Sequence, residues 1–233
     1  MTDFYKGGIQ LNTEKSWITT IDSHTEGEAT RLIVDGLGTI PGDTMIQKLD
    51  WFKFTHDPIR KILTKEPRGS EILAAAVTES VSTDSAFGLI YMDAKRYPYL
   101  CGHATIGAVV TLAKTGFLKL DQGENRVGVD TPSGRMEANV TLDGKSITSV
   151  AIEMVPSFVY KTGLQVKVEG FGNVPVDIVC TGGFFAMVES KKIGIPADLK
   201  YKDQLIDLGM KIIDAANEQI GVSHPVRPDV NTI

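Results

Sequence analysis

The sequence predicts an α+β fold in which a strongly curved sheet or barrel wraps around a helix. Two observations predict it. Most of the chain alternates between apolar, strand-like runs and turn residues, with hairpin chemistry at Asp130-Thr131-Pro132-Ser133-Gly134 and Leu142-Asp143-Gly144. Among these strands His103–Lys114 (HATIGAVVTLAK) is apolar on nearly every side, and a helix of that kind belongs inside something. Many strands and one buried helix are reconciled by a sheet that closes around the helix.

The elements follow in order. Strands are expected in Thr30–Gly38, Glu71–Ser80 and Ser85–Asp93, although the Ala-rich Glu71–Ser80 run suits a helix equally well by local propensity. A short helix is expected over Asp57–Leu63, with Asp57 as N-cap and Pro58 in the first position. The apolar helix His103–Lys114 stops at Thr115-Gly116. Strands follow in Glu124–Asp130, Gly134–Gly144 and Ile147–Val155, and the pattern continues through Gln165–Ser190, where Gly182-Gly183 marks a bulge or a close backbone approach. Tyr201–Ile220 carries Leu205, Leu208, Ile212, Ala216 and Ile220 at helical spacing and reads as an amphipathic surface helix. His56 and His224 read as loop residues. The expected boundary lies near Val155-Pro156-Ser157, giving residues 1–155 and 156–233 as two α/β halves, the second thin for a subdomain with its own core.

Composition narrows the function classes. A net charge of -5 and a pI near 5.4, without a basic stripe, argue against nucleic acid as the main partner. No stretch approaches the roughly 18 apolar residues of a membrane span. Met1–Gln10 lacks the basic and apolar regions of a signal peptide. The two cysteines, Cys101 and Cys180, exclude a disulfide-dense secreted scaffold, so a cytoplasmic protein with free thiols is expected.

The most informative stretch is Tyr99-Leu100-Cys101-Gly102-His103-Ala104-Thr105-Ile106-Gly107. A thiol just ahead of a helix sits in the partial positive charge of unpaired N–H groups, which favours thiolate and lowers its pKa. The same N–H groups can hold a carboxylate, and Gly102 lets a ligand approach the backbone. The alternative is a small buried hydrophobe, as many lone cysteines are. His103 is a general acid/base, a substrate hydrogen-bond donor or simply a helix-start residue. The polar cluster Asp22-Ser23-His24-Thr25-Glu26-Gly27-Glu28 is either one wall of a site or, as composition favours, a solvated loop. His24, Glu26, Glu28 and His103 lack metal-ligand spacing, so no metal is expected. No dinucleotide or Walker loop is present.

These residues together resemble the proline racemase family, with its 4-hydroxyproline epimerases and trans-3-hydroxyproline dehydratases. The resemblance runs through Ile21–Glu28 and Arg31, which match the pattern I-D-x-H-T-x-G-E, then Pro41-Gly42-Asp43-Thr44-Met45, Glu66-Pro67-Arg68-Gly69, Cys101-Gly102-His103, Thr131-Pro132-Ser133-Gly134, Val155-Pro156-Ser157-Phe158 and Gly182-Gly183. It implies a fold similar to diaminopimelate epimerase: two pseudo-symmetric halves, each a barrel-like sheet around a central helix. It implies cofactor-independent proton exchange at the α-carbon of proline or hydroxyproline between two cysteines on opposite faces, since one fixed side chain reaches only one face. By the resemblance Cys101 is the first catalytic cysteine, and Gly102 and His103 bind the substrate carboxylate. A homodimer is implied, with no nucleic-acid or membrane partner, and thiol chemistry needs no pyridoxal or other cofactor. Ser70 and Glu71–Ala76 depart from the family's pattern near the substrate ring, so the substrate among the proline derivatives is left open. The family's second signature, D-x-S-P-C-G-T-G, follows a connector resembling Ser223-His224-Pro225, where this sequence stops. The second half is therefore expected to be incomplete, and Cys180 is read as a core thiol and not as the second base. Alternative expectations are a single-cysteine dehydratase, in which elimination needs no second base, and a catalytically inactive member.

Overall fold

The computed structural model describes residues 17–67, 69 and 72–233. The reading of Met1–Gln10, and of Arg68, Ser70 and Glu71, lies outside them. Two strands, β1 (Thr19–Thr25) and β2 (Glu28–Asp35), form a hairpin. Helix α1 (Met45–Thr64) leads to β3 (Leu73–Thr78) and β4 (Phe87–Met92), and helix α2 (Gly102–Lys114) leads to β5 (Gly123–Thr131), β6 (Gly134–Asp143) and β7 (Ser146–Glu153). The seven strands form one sheet in sequence order. The pairs β2/β3 and β4/β5 are parallel and the others antiparallel. Each parallel pair is joined by a helix, as a crossover requires.

The sheet curls around α2, which touches β1 and β2 near one edge and β7 at the other. Ala104, Ala108, Val109 and Leu112 of α2 pack into Leu32, Ala75, Phe87, Leu89, Tyr91, Val129 and Val140. On the opposite face Met45, Leu49 and Phe52 of α1 pack against Ile33, Ala74, Ala76, Ile90 and Met92. This explains the Ala-rich run. Ala75 faces one helix while Ala74 and Ala76 face the other, so β3 is buried on both sides and shows no polar alternation.

The helix expected from Asp57 is a correction. It is the last part of α1, which starts at Thr44. The Thr44 hydroxyl accepts from the Gln47 N–H (3.2 Å), and the Gln47 side chain accepts from the Thr44 N–H (3.3 Å), a complete capping box. Pro58 is tolerated inside the helix on its solvent side, where it is exposed. Asp57 caps nothing. It pairs with Arg60 (2.7 Å) and Lys61 (2.8 Å) and accepts from the Tyr97 hydroxyl (3.1 Å). His56 likewise lies on α1 and not in a loop, with its ring edge-on to Trp51 and Phe52. The polar cluster expected as a loop forms most of β1, turning through Glu26 and Gly27, both at positive φ.

The second sheet has three antiparallel strands, β8 (Ser157–Val168), β9 (Gly172–Thr181) and β10 (Phe184–Met187). After a short helix α3 (Ser190–Ile193), helix α4 (Lys202–Gln219) lays Leu208, Ile212 and Ala216 over a core of Val166, Val174, Val176, Ile178 and Cys180. Cys180 is fully buried there, and His224 lies in a loop as expected. Among the described residues no helix is long and apolar enough to cross a membrane.

Candidate active site

Cys101 is the N-cap of α2, in extended conformation, and its side chain makes no capping bond of the usual kind. Its backbone is braced from inside the curled sheet. The Cys101 carbonyl accepts from the Thr105 N–H (3.1 Å) and the Thr105 hydroxyl (2.7 Å). Since the Thr105 proton is committed there, the buried Tyr91 hydroxyl is the donor in its 2.7 Å contact with Thr105 Oγ1. Burial pushes the Tyr91 hydroxyl well above its ordinary pKa. It is a fixed donor, not a titrating group.

The thiol is partly buried, with Sγ 3.3 Å from Nδ1 and 3.8 Å from Nε2 of His103. Its pKa corrects the expectation. Burial raises it, and the nearby Glu28 carboxylate adds to the rise; the Ala104 and His103 N–H groups pull the other way without prevailing. The helix start favours thiolate, but loss of solvent outweighs it, so the resting form at neutral pH is the thiol.

The structure therefore brings Cys101, Gly102 and His103 together at one helix start. The surface over Gly102 is open: a Cβ placed there would find nothing nearer than Met154 Sδ at 4.0 Å. Two members of the polar cluster reach the same corner. The Thr25 hydroxyl donates to the His103 carbonyl (3.0 Å), and Glu28 bears on the thiol. His24 does not join them; its Nδ1 accepts from the Gly27 N–H (3.3 Å) within the hairpin turn. Met154 was invisible to sequence reasoning because nothing local ties it to Gly102. Thr25 and Glu28 lay inside a stretch whose composition favoured a loop. Among the described residues no group of three or more His, Cys, Asp or Glu side chains converges as a metal site would require.

A helix enclosed by a curled sheet, opening on a thiol and an imidazole, defines an α+β protein with a candidate thiol site at a helix start. The chain belongs to the proline racemase family, whose model matches residues 20–233. It is 36% identical over 207 residues to a 4-hydroxyproline 2-epimerase of Streptosporangium roseum, covering 88% of this chain and 62% of that protein. It is 35% identical to a proline racemase of Clostridioides difficile (93% and 65% covered). It is also 35% identical to a trans-3-hydroxy-L-proline dehydratase of Burkholderia ambifaria (93% and 65%). The structure superposes on a hydroxyproline epimerase from Agrobacterium vitis, solved with bound trans-4-hydroxy-L-proline, with a TM-score of 0.85 at 26% identity, covering 94% of this chain and 65% of that one. The chain thus spans less than two thirds of the length of these relatives.

Proposed function

We propose that this chain carries a cofactor-independent thiol site for proton transfer at the α-carbon of proline or a hydroxyproline, the site of a racemase or epimerase. The observation that carries the reading is Cys101 at the start of the enclosed helix, with its Sγ 3.3 Å from the His103 imidazole. In this reading the N–H groups opened by Gly102 and His103 hold the substrate carboxylate. In one direction a base on the opposite face removes the α-proton and the Cys101 thiol delivers its own proton to the α-carbon, leaving the thiolate beside the His103 imidazole. In the reverse direction that thiolate takes the α-proton and the acid on the opposite face delivers one.

A second reading is elimination from trans-3-hydroxyproline, supported by the 35% identity to a trans-3-hydroxy-L-proline dehydratase. Removal of the α-proton with departure of the 3-hydroxyl asks for one base, and Cys101 is placed to be that base.

The test is α-proton exchange followed by NMR in D2O with L-proline, trans-4-hydroxy-L-proline and trans-3-hydroxy-L-proline, for the chain and for Cys101→Ser. Exchange with inversion, lost in the variant, supports the racemase or epimerase. Loss of the 3-hydroxyl supports elimination. Exchange that survives Cys101→Ser, or none with any substrate, counts against both readings. The same proposal includes two halves, residues 1–155 and 156–233, supported by the change of sheet between Glu153 and Ser157; limited proteolysis should cut there first. It includes a homodimer, read by sedimentation, and a cytoplasmic setting that keeps the thiols reduced.

A further inference from the structure

We propose that Arg227 is a positioning residue for Cys101, acting through a knot of backbone carbonyls that joins the two sheets. Its guanidinium donates from Nη1 to the Pro132 carbonyl (2.6 Å) and from Nη2 to the Gly182 carbonyl (3.2 Å). Between them stands Ser133, which is buried. Its hydroxyl donates to the same Gly182 carbonyl (2.9 Å), and its N–H donates to the Tyr99 carbonyl (3.1 Å). Tyr99 lies two residues before Cys101. One cation thus locks the β5–β6 turn to the β9–β10 turn, and the first of these turns holds the segment that delivers the thiol.

Side-chain packing follows the same route. Gly182 has φ +82, and a Cβ there would collide with the Leu100 side chain and approach Ser133 Oγ to 2.7 Å. Leu100 is therefore seated on the Gly182 backbone, directly before Cys101. The segment is also packed: Tyr97 and Tyr99 lie against the α1 core, Tyr99 against the core of the second sheet as well, and Leu100 and Cys101 against the α2 core. The knot adds directional hydrogen bonds to this packing and ties it to the two turns. Arginine suits the task because its planar fork spans two acceptors at once, which an ammonium does less well. The inner brace, Tyr91 to Thr105 to the Cys101 carbonyl, sets the helix start; the outer knot sets the direction from which the thiol arrives.

The proposal rests on Cys101 as the working thiol, but its test needs no turnover. Alkylation of Cys101 by iodoacetamide is followed against pH, with the labelled cysteine identified by peptide mass spectrometry, in the wild type, Arg227→Ala, Arg227→Lys and Asn217→Ala. Asn217 ties the same terminal segment, donating to the Ile233 carbonyl (3.0 Å) and accepting from its N–H (2.8 Å), yet neither bond belongs to the knot. Releasing Tyr99–Cys101 admits water to the thiol and relieves the burial that raises its pKa. Arg227→Ala should then speed alkylation near neutral pH by about threefold or more and move the profile to lower pH. Arg227→Lys should fall between it and the wild type, and Asn217→Ala should stay within about 1.5-fold of the wild type. An Arg227→Ala profile that matches the wild type, or an Asn217→Ala profile that matches Arg227→Ala, overturns the proposal, since either makes Arg227 a simple tether. Should Arg227→Ala fail to fold, Arg227→Lys against Asn217→Ala carries the same comparison. Because substrate is absent, failure here is separate from failure of the catalytic reading, which α-proton exchange in Cys101→Ser decides.

Discussion

The two sheets hold their helices differently. The seven-stranded sheet reaches α2 from both edges, so its face toward β1, its face toward β7 and the side under Leu89 and Tyr91 are all covered. The three-stranded sheet meets α4 along a single stripe, Leu208, Ile212 and Ala216, while Ile206 and Met210 stay exposed at 52% and 39%. The two cysteines follow this division. Cys101 stands at the mouth of the enclosed helix, partly open; Cys180 is sealed inside the sheet beneath the one-sided helix. The sheet leaves α2 partly accessible along Ile106, Val110 and Ala113 and at its start, where the thiol sits.

The largest expected effect separates the two thiols. Cys101→Ala should reduce α-proton exchange by about 10²–10⁴-fold, the range for a positioned proton-transfer group. Cys180→Ala removes a buried sulfur and should cost about 1 kcal/mol of stability, leaving exchange within about twofold of the wild type. NMR exchange rates and denaturation midpoints on the same samples check both. If Cys180→Ala proves as damaging to exchange as Cys101→Ala, the division of labour is wrong.

Core truncations sharpen the comparison between the helices. Leu112 of α2 is 2% exposed and surrounded, so its cavity cannot collapse; Leu112→Ala should cost about 3–4 kcal/mol. Ile212 of α4 is 5% exposed, but the helix can settle onto its sheet, and Ile212→Ala should cost about 2–3 kcal/mol. Equal losses in urea unfolding would mean that α4 is held as rigidly as α2.

How much of this could be read from the residues depended on range. The apolar helix over α2 was legible because its periodicity is local, and so was the stripe on α4. Helix α1 was misplaced because Asp57-Pro58 imitates a helix start, although Thr44 and Gln47, three residues apart, carried the true one. Strand β1 was missed because Asp22, Ser23, His24 and Thr25 are polar on both faces of a hairpin strand. At the site, Cys101, Gly102 and His103 were legible as neighbours on one helix start. The direction of the Cys101 pKa was not, because it follows from how deeply the thiol is buried, a property of the assembled sheet. Arg227, Pro132 and Gly182 meet across 95 and 45 residues of sequence, with no local signal for their contact.

A carboxylate in the first sheet gives the next expected effect. Asp130 is buried and accepts from the N–H groups of Val81 and Ser82 (both 2.8 Å) and the hydroxyls of Ser82 (2.7 Å) and Ser85 (2.8 Å), fixing the loop between β3 and β4. Burial alone would raise its pKa, but these donors bring it below the ordinary value. A carboxyl with a lowered folded pKa contributes its stability above the unfolded pKa near about 4 and loses it as pH falls through the folded value. Asp130→Asn should therefore cost about 2 kcal/mol at neutral pH and flatten the acid side of the stability profile below about pH 4. The second sheet has no described counterpart, so unfolding of its core should respond less to the same change.

The smallest expected effect concerns how helices begin. α1 opens on a complete capping box, whereas the N-cap of α4, Tyr201, makes no side-chain cap bond. Ahead of α4 a carboxylate does related work: Asp198 accepts from the Lys200 N–H (3.0 Å) in the 3-10 turn of Leu199–Tyr201. Thr44→Ala removes the acceptor for the Gln47 N–H and loosens the reciprocal bond, so it should cost about 1 kcal/mol. Asp198→Ala acts on a short, exposed turn and should cost about half that or less. Hydrogen exchange locates each loss. Thr44→Ala should speed exchange in the first turn of α1 and spread to β3 and β4, because Met45 and Leu49 of that helix start pack on the sheet. Asp198→Ala should stay confined to the turn and the first residues of α4. A loss from Asp198→Ala that reaches the Val174–Cys180 strand would show that the start of α4 is as firmly coupled to its sheet as the start of α1.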